Sequence, residues 1–307
     1  MSKSAVSVER FLVTGALGCI GAWTTALLVR EGASVVAYDL GEDDQRLRLI
    51  ASPKEIARVV SVRGDVTDLD QLERTLSRHE ITHLVHLAAL QVPFVKANPP
   101  LGARVNVVGT VNVLEAARRH GLATPVAYAS TAAVYDDRGD RAPRTLYGVF
   151  KIANEATADV YWADEGVSSI GIRPFVVFGP GRDQGLTSGP TLAMEAAARG
   201  EPYRIAFGGR SELHYAPDVA RGFIAASRSG AAGAFAYDFP GSAVSMSEVV
   251  AAIEAAAPQA QGLVDFDDVP LPFPEQLPGE RLDVPTTPLG TAVQETIELY
   301  RSHGRDA

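Results

Sequence analysis

Short apolar runs alternate with longer stretches of helical spacing through the first half of the chain. The runs are rich in β-branched residues, which is typical of strands buried in a parallel sheet. We predict strands at residues 11–14, 34–39, 59–62, 83–87, 125–129 and 169–173, and helices at residues 22–29, 69–76, 105–119 and 147–161. Because strands and helices follow one another in regular succession, the pattern predicts an α/β fold, a parallel sheet with helices on both faces.

The pattern is less regular after residue 173. Glycines at residues 178–189 indicate a loop, and prolines at residues 270–288 indicate an irregular surface connection. Helical spacing returns, in the third case after a capping box of Ser245 and Glu248, at residues 191–199, 218–228, 249–257 and 288–300. We therefore expect two domains, with some elements of the second returning to the first: residues 1–175, and a smaller α+β lobe at residues 176–307.

Composition limits the classes of partner. The 307 residues carry a formal net charge of -9, and phosphate binding needs clustered Lys and Arg, so we expect no nucleic-acid partner. No apolar run approaches the roughly 20 residues that span a bilayer, and residues 1–10 lack the apolar core of a signal peptide. The single cysteine, Cys19, fits a reducing compartment. The sequence therefore predicts a cytoplasmic protein with no membrane partner.

A glycine series directly follows the first predicted strand. Gly15, Gly18 and Gly21 stand in the segment TGALGCIG, which opens the first predicted helix. Glycine allows the tight turn and the close approach of a pyrophosphate to the helix N-terminus. We expect Cys19 and Ile20 to border the cofactor in the same turn, with Cys19 as a small packed residue rather than a nucleophile. A strand-to-helix turn without a ligand is the alternative interpretation.

Asp39 ends the second predicted strand, about twenty residues beyond the glycines. A carboxylate there can accept hydrogen bonds from both adenosine ribose hydroxyls and would repel a 2′-phosphate, which favours NAD over NADP. Asp65 and Val66 follow the third strand and are placed to meet the adenine ring, although a turn role for Asp65 is equally open. Ala88 and Ala89 end the fourth strand, where small side chains let the cofactor lie against the sheet edge.

Tyr147 and Lys151 lie four residues apart on a predicted helix and therefore face the same side. A tyrosine with a pKa of about 10 is a poor base at neutral pH, but a nearby ammonium and a positively charged nicotinamide favour the phenolate. Thr131 ends the fifth strand, where ligands of open α/β sheets bind, and can hold a substrate hydroxyl. A Tyr-Lys pair alone is common on helix surfaces; its order after the glycine turn, Asp39 and Thr131 favours a catalytic role.

Together these segments resemble a known family. TGALGCIG, HLAA, ASTAAVY, YGVFK and RPFVVFGPG are similar to segments of the extended short-chain dehydrogenase/reductase superfamily, the NAD-dependent epimerase/dehydratase family. The resemblance implies a Rossmann-type doubly wound sheet, NAD as cofactor, and Tyr147, Lys151 and Thr131 as the catalytic triad. It also implies a homodimer built on the helices around Val105 and Tyr147. Further cofactor-binding residues expected on this basis are Leu87, Asn106, Ala129, Pro174 and Val176.

One departure from the family's pattern argues against one of the family's reactions. The sugar-nucleotide dehydratases carry an Asp-Glu pair directly after the catalytic threonine, whereas Ala132 and Ala133 follow Thr131 here. Water elimination driven by a carboxylate therefore has no evident catalyst, which argues against a dehydratase.

A second departure concerns the substrate. UDP-sugar epimerases of the family bind the diphosphate with two arginines, whose positions correspond here to Ser211 and Leu277. Each lost charge-assisted bond is worth about 1.5–3 kcal/mol. Arg210 and Arg281 lie nearby and are open as replacements. The departure favours a small substrate without a nucleotide.

Other polar residues are candidates for the substrate pocket. Gln91 follows the fourth strand and is a candidate for a sugar hydroxyl, with a plain loop role equally open. Among arginines that suit a substrate carboxylate, we expect Arg173 to pair within the fold and favour Arg182, in the glycine loop. The histidines show no metal-ligand spacing, so we predict no metal site. The expected substrate-binding residues are Gln91, Thr131, Ala132, Tyr147, Phe175 and Arg182.

Three functions remain open at this stage. The favoured one is an NAD-dependent dehydrogenase that oxidises a secondary hydroxyl of a small sugar, sugar acid, lactone or polyol. The second is a sugar or nucleotide-sugar epimerase that retains its NAD. A non-catalytic NAD-binding protein is the weakest, because such a protein needs no triad.

Overall fold

The computed structural model describes residues 8–303, so most of the polar stretch at residues 1–10 lies outside the described residues. Its strands, numbered along the chain, are β1 (Arg10–Thr14), β2 (Ser34–Asp39), β3 (Val59–Arg63), β4 (His83–His86), β5 (Val126–Ala129), β6 (Ser169–Arg173), β7 (Val176–Phe178), β8 (Tyr203–Ile205), β9 (Arg210–Tyr215), β10 (Ala234–Asp238), β11 (Ala243–Ser245) and β12 (Val264–Phe266).

Seven of these strands form one parallel sheet with the order β10-β6-β5-β4-β1-β2-β3. The predicted strand at residues 34–39 and the predicted strand at residues 169–173 have the bounds that the structure gives to β2 and β6. The strand order reverses between β1 and β4, and such a switch point leaves a crevice beyond the carboxyl ends of the strands.

Helices cover both faces of the sheet, as the alternation predicted. The helices are α1 (Cys19–Arg30), α2 (Gln45–Ile50), α3 (Pro53–Ile56), α4 (Leu69–Arg78), α5 (Val92–Ala97), α6 (Pro99–Ala103), α7 (Gly109–His120), α8 (Leu146–Glu165), α9 (Gly189–Arg199), α10 (Ala216–Arg228), α11 (Met246–Ala256) and α12 (Leu289–His303). α1 and α10 pack on one face around Phe11 and Phe223, and α4, α7 and α8 pack on the other around Leu72 and Leu114. The fold is therefore a doubly wound, Rossmann-type sheet.

The single helix predicted at residues 105–119 is a longer, irregular helical segment. α6 starts at a pair of prolines capped by the Asn98 side chain, which accepts from the Leu101 N–H. A π-helical turn at Arg104–Val108 then joins α6 to α7. Proline at the first helical position is favourable, because its missing N–H has no partner there in any case.

The second half contains six strands that the apolar pattern did not locate, although an α+β lobe was expected there. β11, β9 and β7 form a three-stranded sheet, β12 and β8 form a pair, and β10 joins the large sheet. β9 escaped prediction because its buried positions include Glu212 and His214, which satisfy each other by a hydrogen bond of 3.2 Å. Burying a polar side chain costs less free energy when it is hydrogen-bonded to a partner than when it is unpaired. Buried polar residues interrupt the alternation of apolar positions by which a strand is predicted from sequence.

The proline-rich segment at residues 270–288 is irregular but is not confined to the surface, which corrects the sequence interpretation. Leu277 is buried, and the Gly279 N–H donates to Asp238 at the end of β10.

The capping box of Ser245 and Glu248 is present at the start of α11. None of the helices within residues 8–303 is long and apolar enough to cross a membrane.

Candidate active site

A cavity of about 570 Å³ opens at the carboxyl ends of the strands around the β1–β4 switch point. Parallel strands bring together segments that are distant in the chain, because their carboxyl ends share one edge of the sheet. Most residues predicted for the cofactor and the substrate line this one cavity: Gly15, Gly18, Cys19, Ile20, Gly21, Asp39, Asp65, Val66, Leu87, Ala88, Ala89, Gln91, Ala129, Thr131, Ala132, Tyr147, Lys151, Pro174, Phe175 and Arg182.

The glycine turn brings backbone close to backbone at one end of the cavity. Gly15 has a φ of +67°, and a Cβ there would lie 2.6 Å from the Ala88 nitrogen. At Gly21 a Cβ would lie 2.8 Å from the Ala16 Cα and closer still to the Gly15 oxygen. α1 begins after Gly18 without a side-chain cap. Its first N–H groups are therefore available to an anion, which the helix dipole also favours.

Asp39 lies between this turn and the next loop. One carboxylate oxygen accepts from the Leu17 N–H at 3.0 Å, and the other accepts from the Gly41 N–H at 3.0 Å. These contacts fix the plane of the carboxylate and leave each oxygen a second lone pair for a ligand hydroxyl. Asp65 both caps its own turn, accepting from the Thr67 N–H at 2.8 Å, and lines the cavity.

The other end of the cavity holds the predicted triad. The Thr145 side chain caps α8 by accepting from the Gly148 N–H at 3.0 Å, which starts the helix just ahead of Tyr147. Lys151 follows one turn later, with its Nζ 5.7 Å from the centre of the Tyr147 ring and 2.6 Å from the Ala129 oxygen, to which it donates. Thr131 enters from the end of β5.

Burial sets the proton affinities of this end of the cavity. Burial lowers the pKa of Lys151 to about 8, and the charge of Glu155 opposes that shift. Burial raises the pKa of Tyr147, while the nearby Thr131 hydroxyl and the charge of Arg182 oppose it. The arrangement therefore keeps Lys151 protonated at neutral pH and makes the phenolate of Tyr147 depend on neighbouring positive charge.

A buried ion network lies directly behind the triad. Glu155, one turn after Lys151, accepts two hydrogen bonds of 2.8 Å from Arg173 and one of 2.5 Å from the Ser130 hydroxyl. Arg173 also reaches Asp238 of β10 at 3.2 Å. Arg173 thus pairs within the fold, as predicted. Ser130 and Glu155 were not singled out in the sequence, although Glu155 extends the Tyr147–Lys151 face of the helix by one further turn.

Two expected cofactor residues do not line the cavity. Asn106 is buried and exchanges two hydrogen bonds with the backbone of Leu90, at 2.7 and 2.9 Å. It therefore holds the segment after β4 in place from behind. Val176 points into the core of the second lobe, and Val177 lines the cavity instead. The correction follows from strand geometry, since successive side chains of β7 point to opposite faces.

Neither arginine considered as a replacement diphosphate ligand lines the cavity. Arg281 donates to the buried Glu212 carboxylate at 2.6 and 2.7 Å and to two backbone oxygens. Arg210 is half exposed and donates to the Ala243 oxygen at 2.6 Å, with Glu248 at 3.4 Å. Both guanidinium groups therefore make contacts within the fold rather than facing the cavity.

The second half of the chain also closes the cavity with residues that the sequence did not indicate. Phe273, from the proline-rich segment, packs edge-on against Phe175 with ring centres 5.6 Å apart and lines the cavity. No local signal marks such a contact, because the two rings come from separate segments. Among residues 8–303, no group of three or more His, Cys, Asp and Glu side chains is placed to hold a metal ion.

The fold and the cavity define a doubly wound α/β protein of the dinucleotide-binding type. The NAD dependent epimerase/dehydratase family matches residues 11–237, and the chain belongs to this family. NAD is its cofactor, and the residues present fit that group. Gly15 and Gly21 leave no room for side chains at the turn, the start of α1 is uncapped, and Asp39 offers a carboxylate suited to ribose hydroxyls.

Known proteins resemble this chain to different degrees. UDP-glucuronate 4-epimerase 2 of Arabidopsis thaliana is 34% identical over 193 residues, which cover 58% of this chain and 44% of that protein. The matches to the first curated relatives span about half of their length. The structure of MoeE5 in complex with UDP-glucose and NAD is 26% identical, with a TM-score of 0.76 over 96% of this chain and 99% of that one.

An L-threonine dehydrogenase from Clostridium difficile has a TM-score of 0.83 at 21% identity, over 97% of this chain and 99% of that one. At this identity the likeness concerns the fold alone. The fold is thus shared by epimerases and a dehydrogenase, and the choice between these activities for this chain depends on its own site residues.

Proposed function

We propose that the chain is an NAD-dependent dehydrogenase that oxidises a secondary hydroxyl of a small sugar, sugar acid, lactone or polyol. The observation that carries the proposal is the convergence of Thr131, Tyr147 and Lys151 at one end of a cavity whose other end is the glycine turn and Asp39. In such a cavity a hydroxyl held at the triad lies at the sheet edge that the cofactor also occupies.

In this mechanism Thr131 orients the substrate hydroxyl, and the Tyr147 phenolate oxygen takes the hydroxyl proton. NAD, which the glycine turn and Asp39 would hold, would supply the hydride acceptor for the same carbon, so that the product would be a ketone or lactone. The Lys151 ammonium stabilises the phenolate, and its pKa of about 8 leaves it charged at neutral pH. Phe175 and Phe273 shield this end of the cavity from water, which strengthens the electrostatic contacts inside it.

Two features support a substrate without a nucleotide and without elimination chemistry. Arg210 and Arg281 are engaged in the fold, so neither replaces the two arginines with which UDP-sugar epimerases of the family bind the diphosphate. Ala132 and Ala133, rather than carboxylates, follow Thr131. Charge-assisted bonds contribute about 1.5–3 kcal/mol each, so the loss of the bonds to two arginines argues against a nucleotide diphosphate in the substrate.

An epimerase that retains its NAD is the second candidate, and one observation favours it. The segment 179–187 crosses from β7 towards α1 and α2. The Pro180 oxygen accepts from the Trp23 indole N–H at 2.9 Å, and Asp183 pairs with Arg46 at 2.8 Å. This strap closes over the start of α1 and favours slow release of a cofactor that would be recycled at each turnover.

The test follows NADH absorbance with purified protein, NAD and a panel of sugars, sugar acids, lactones, polyols and UDP-sugars. Steady NADH formation with a nucleotide-free compound, abolished by Tyr147→Phe, supports the dehydrogenase. Interconversion of UDP-sugars by chromatography without net NADH supports the epimerase instead. Near-normal turnover by Tyr147→Phe with either kind of substrate would contradict the proposed chemistry altogether.

We also propose that the protein forms a homodimer through α7, α8 and the π-helical turn. The π-helical turn exposes Val108, and α8 exposes Val149, Val160 and Trp162; large apolar side chains exposed on neighbouring segments are typical of an interface. Light scattering after gel filtration measures the mass directly.

A cytoplasmic location is proposed as well, since a reducing compartment suits a chain with one free cysteine.

A further inference from the structure

Arg182 has an unused hydrogen-bonding capacity inside the cavity. Its Nε is buried and has no hydrogen-bond partner, and its Nη2 makes only a long contact of 3.4 Å to the Thr187 hydroxyl. Within residues 8–303 no carboxylate lies within ion-pairing distance of the Arg182 guanidinium. The adjacent Asp183 pairs with Arg46 instead. A buried guanidinium donor without a partner is costly, and a structure that retains one is suited to an anionic ligand.

The guanidinium lies between the triad and the glycine turn, since its charge acts on the Tyr147 phenol and also on the Cys19 thiol. At Gly185, whose φ is +101°, a Cβ would lie 3.1 Å from the Arg182 Nη2 and even closer to the Gln91 side-chain oxygen. Arg182 and Gln91 therefore converge on the same glycine, and both line the cavity.

This corner of the cavity differs from the cofactor's own anion site. The start of α1 offers uncapped N–H groups to a diphosphate at the glycine turn. The charge of Arg182 reaches Cys19 in that turn, but its Nη2 lies beside Gly185 together with the side-chain oxygen of Gln91, and its charge also acts on Tyr147. A planar guanidinium with parallel N–H donors matches a carboxylate, which accepts two such bonds at once.

We propose that the substrate is a hydroxy acid whose carboxylate binds Arg182 while its secondary hydroxyl lies at Thr131 and Tyr147. Within the range given above, this selects sugar acids and other hydroxy acids over neutral polyols, free sugars and lactones. The inference rests on the proposed function for its reaction but not for its binding site. Binding of the carboxylate neutralises the Arg182 charge that acts on Tyr147, so substrate binding and ionisation of the Tyr147 phenol are coupled.

The test uses matched pairs of compounds in which only the carboxylate differs. Gluconate and sorbitol form one pair, and glucuronate and glucose form another. Wild-type protein is expected to turn over the acid of the productive pair with a kcat/KM about 10- to 100-fold above its neutral partner, the range that one charge-assisted pair supplies. Arg182→Gln should remove that preference mainly through KM, and Arg182→Lys should keep part of it.

Three controls make the outcome specific. Arg204→Gln, on an exposed arginine paired with Asp265 and Asp267, should leave the preference unchanged. The Kd of NADH, followed by fluorescence, should change less than twofold in Arg182→Gln. If the variant instead loses NADH affinity and keeps the preference for acids, Arg182 binds the cofactor diphosphate and the proposal is overturned. Equal turnover of acid and neutral partners by wild type overturns it as well.

A binding readout separates this proposal from the proposed function. With NADH present, glycolate should raise the Tm of the wild-type protein while ethylene glycol, its neutral counterpart, should not. Arg182→Gln should lose the glycolate effect. If no compound yields NADH but the glycolate effect and its loss are observed, the carboxylate site stands and the dehydrogenase reaction fails. If glycolate has no effect on wild type, the carboxylate site fails whatever the turnover data show.

Discussion

Replacing Asp39 by asparagine tests the cofactor assignment at its most specific contact. The carboxylate oxygens accept from the N–H groups of Leu17 and Gly41, each at 3.0 Å, so the side chain is fixed before any ligand arrives. Asparagine keeps the size of the side chain but removes the charge. It also turns one acceptor into a donor that faces a backbone N–H, so one of the two backbone contacts is lost.

The expected magnitude follows from the bonds to the ribose. A hydrogen bond to a charged group contributes about 1.5–3 kcal/mol and a neutral bond about 0.5–1.5 kcal/mol, so neutralising one or two such bonds removes roughly 1.5–3 kcal/mol. The Kd of NADH should therefore rise about 10- to 100-fold. NADPH should gain affinity at the same time, because the carboxylate that repels its 2′-phosphate is gone.

Titration of NADH and NADPH by fluorescence measures both changes in one preparation. Asp44→Asn is the matched control. Asp44 lies five residues after Asp39, carries the same charge and does not line the cavity. Thermal unfolding checks that each variant is folded. A Kd for NADH within twofold of wild type, with the preference for NADH over NADPH unchanged, would refute the role given to Asp39.

Further predictions concern the turn, the ion network and the buried lysine. Gly21→Ala should destabilise the protein by about 1–3 kcal/mol and abolish NADH binding, whereas Gly290→Ala, where a Cβ meets nothing within 4 Å, should be neutral or stabilising. Glu155→Gln should cost up to about 3–5 kcal/mol in urea unfolding, since it removes one of the two carboxylates that neutralise buried Arg173 and leaves only Asp238, at 3.2 Å. Lys151→Met should be inactive in the NADH assay yet more stable at pH 7, by up to about 3 kcal/mol.

The sign of the Lys151 effect follows from its lowered pKa. The folded protein loses this proton at about pH 8 and the unfolded chain at 10.5, so burying the charged lysine costs stability below pH 8. The stability advantage of Lys151→Met should shrink as the pH rises from 8 to 10.5. A constant difference across that range would contradict the lowered pKa of Lys151. An undiminished unfolding free energy in Glu155→Gln would contradict the role given to the ion network, and tight NADH binding in Gly21→Ala would contradict the role given to the turn.

The cofactor half of the site was predictable because its requirements are local. The turn at Gly15 needs a positive φ and a close backbone approach, which only glycine satisfies, and those demands are visible in a few neighbouring letters. Asp39 ends a strand whose bounds follow from its apolar run. Tyr147 and Lys151 share one helical face through their spacing alone. These residues line the cavity as the spacing indicated, while their roles stay predictions.

The substrate half resisted prediction because its contacts are long-range. Arg281 pairs with Glu212, which lies 69 positions away, so nothing near either residue shows that the guanidinium is engaged. Phe273 reaches Phe175 from an irregular segment without a periodic pattern. Val176 and Val177 are equivalent by composition, and only the direction of β7 decides which of them faces the cavity.

The buried ion network behind the triad is better explained by how it positions the triad residues than by a contribution to the stability of the fold. Taking Arg173, Glu155 and Asp238 out of water is costly, and well-packed apolar residues in their place would often be at least as stable. Apolar side chains, however, have no directional contacts. Glu155 joins α8, which carries Lys151, to Ser130, which immediately precedes Thr131, through a bond of 2.5 Å. The same carboxylate opposes the loss of the Lys151 proton. One buried acid thus sets both the spacing and the charge of the triad, so Glu155→Gln should lower kcat even in molecules that remain folded.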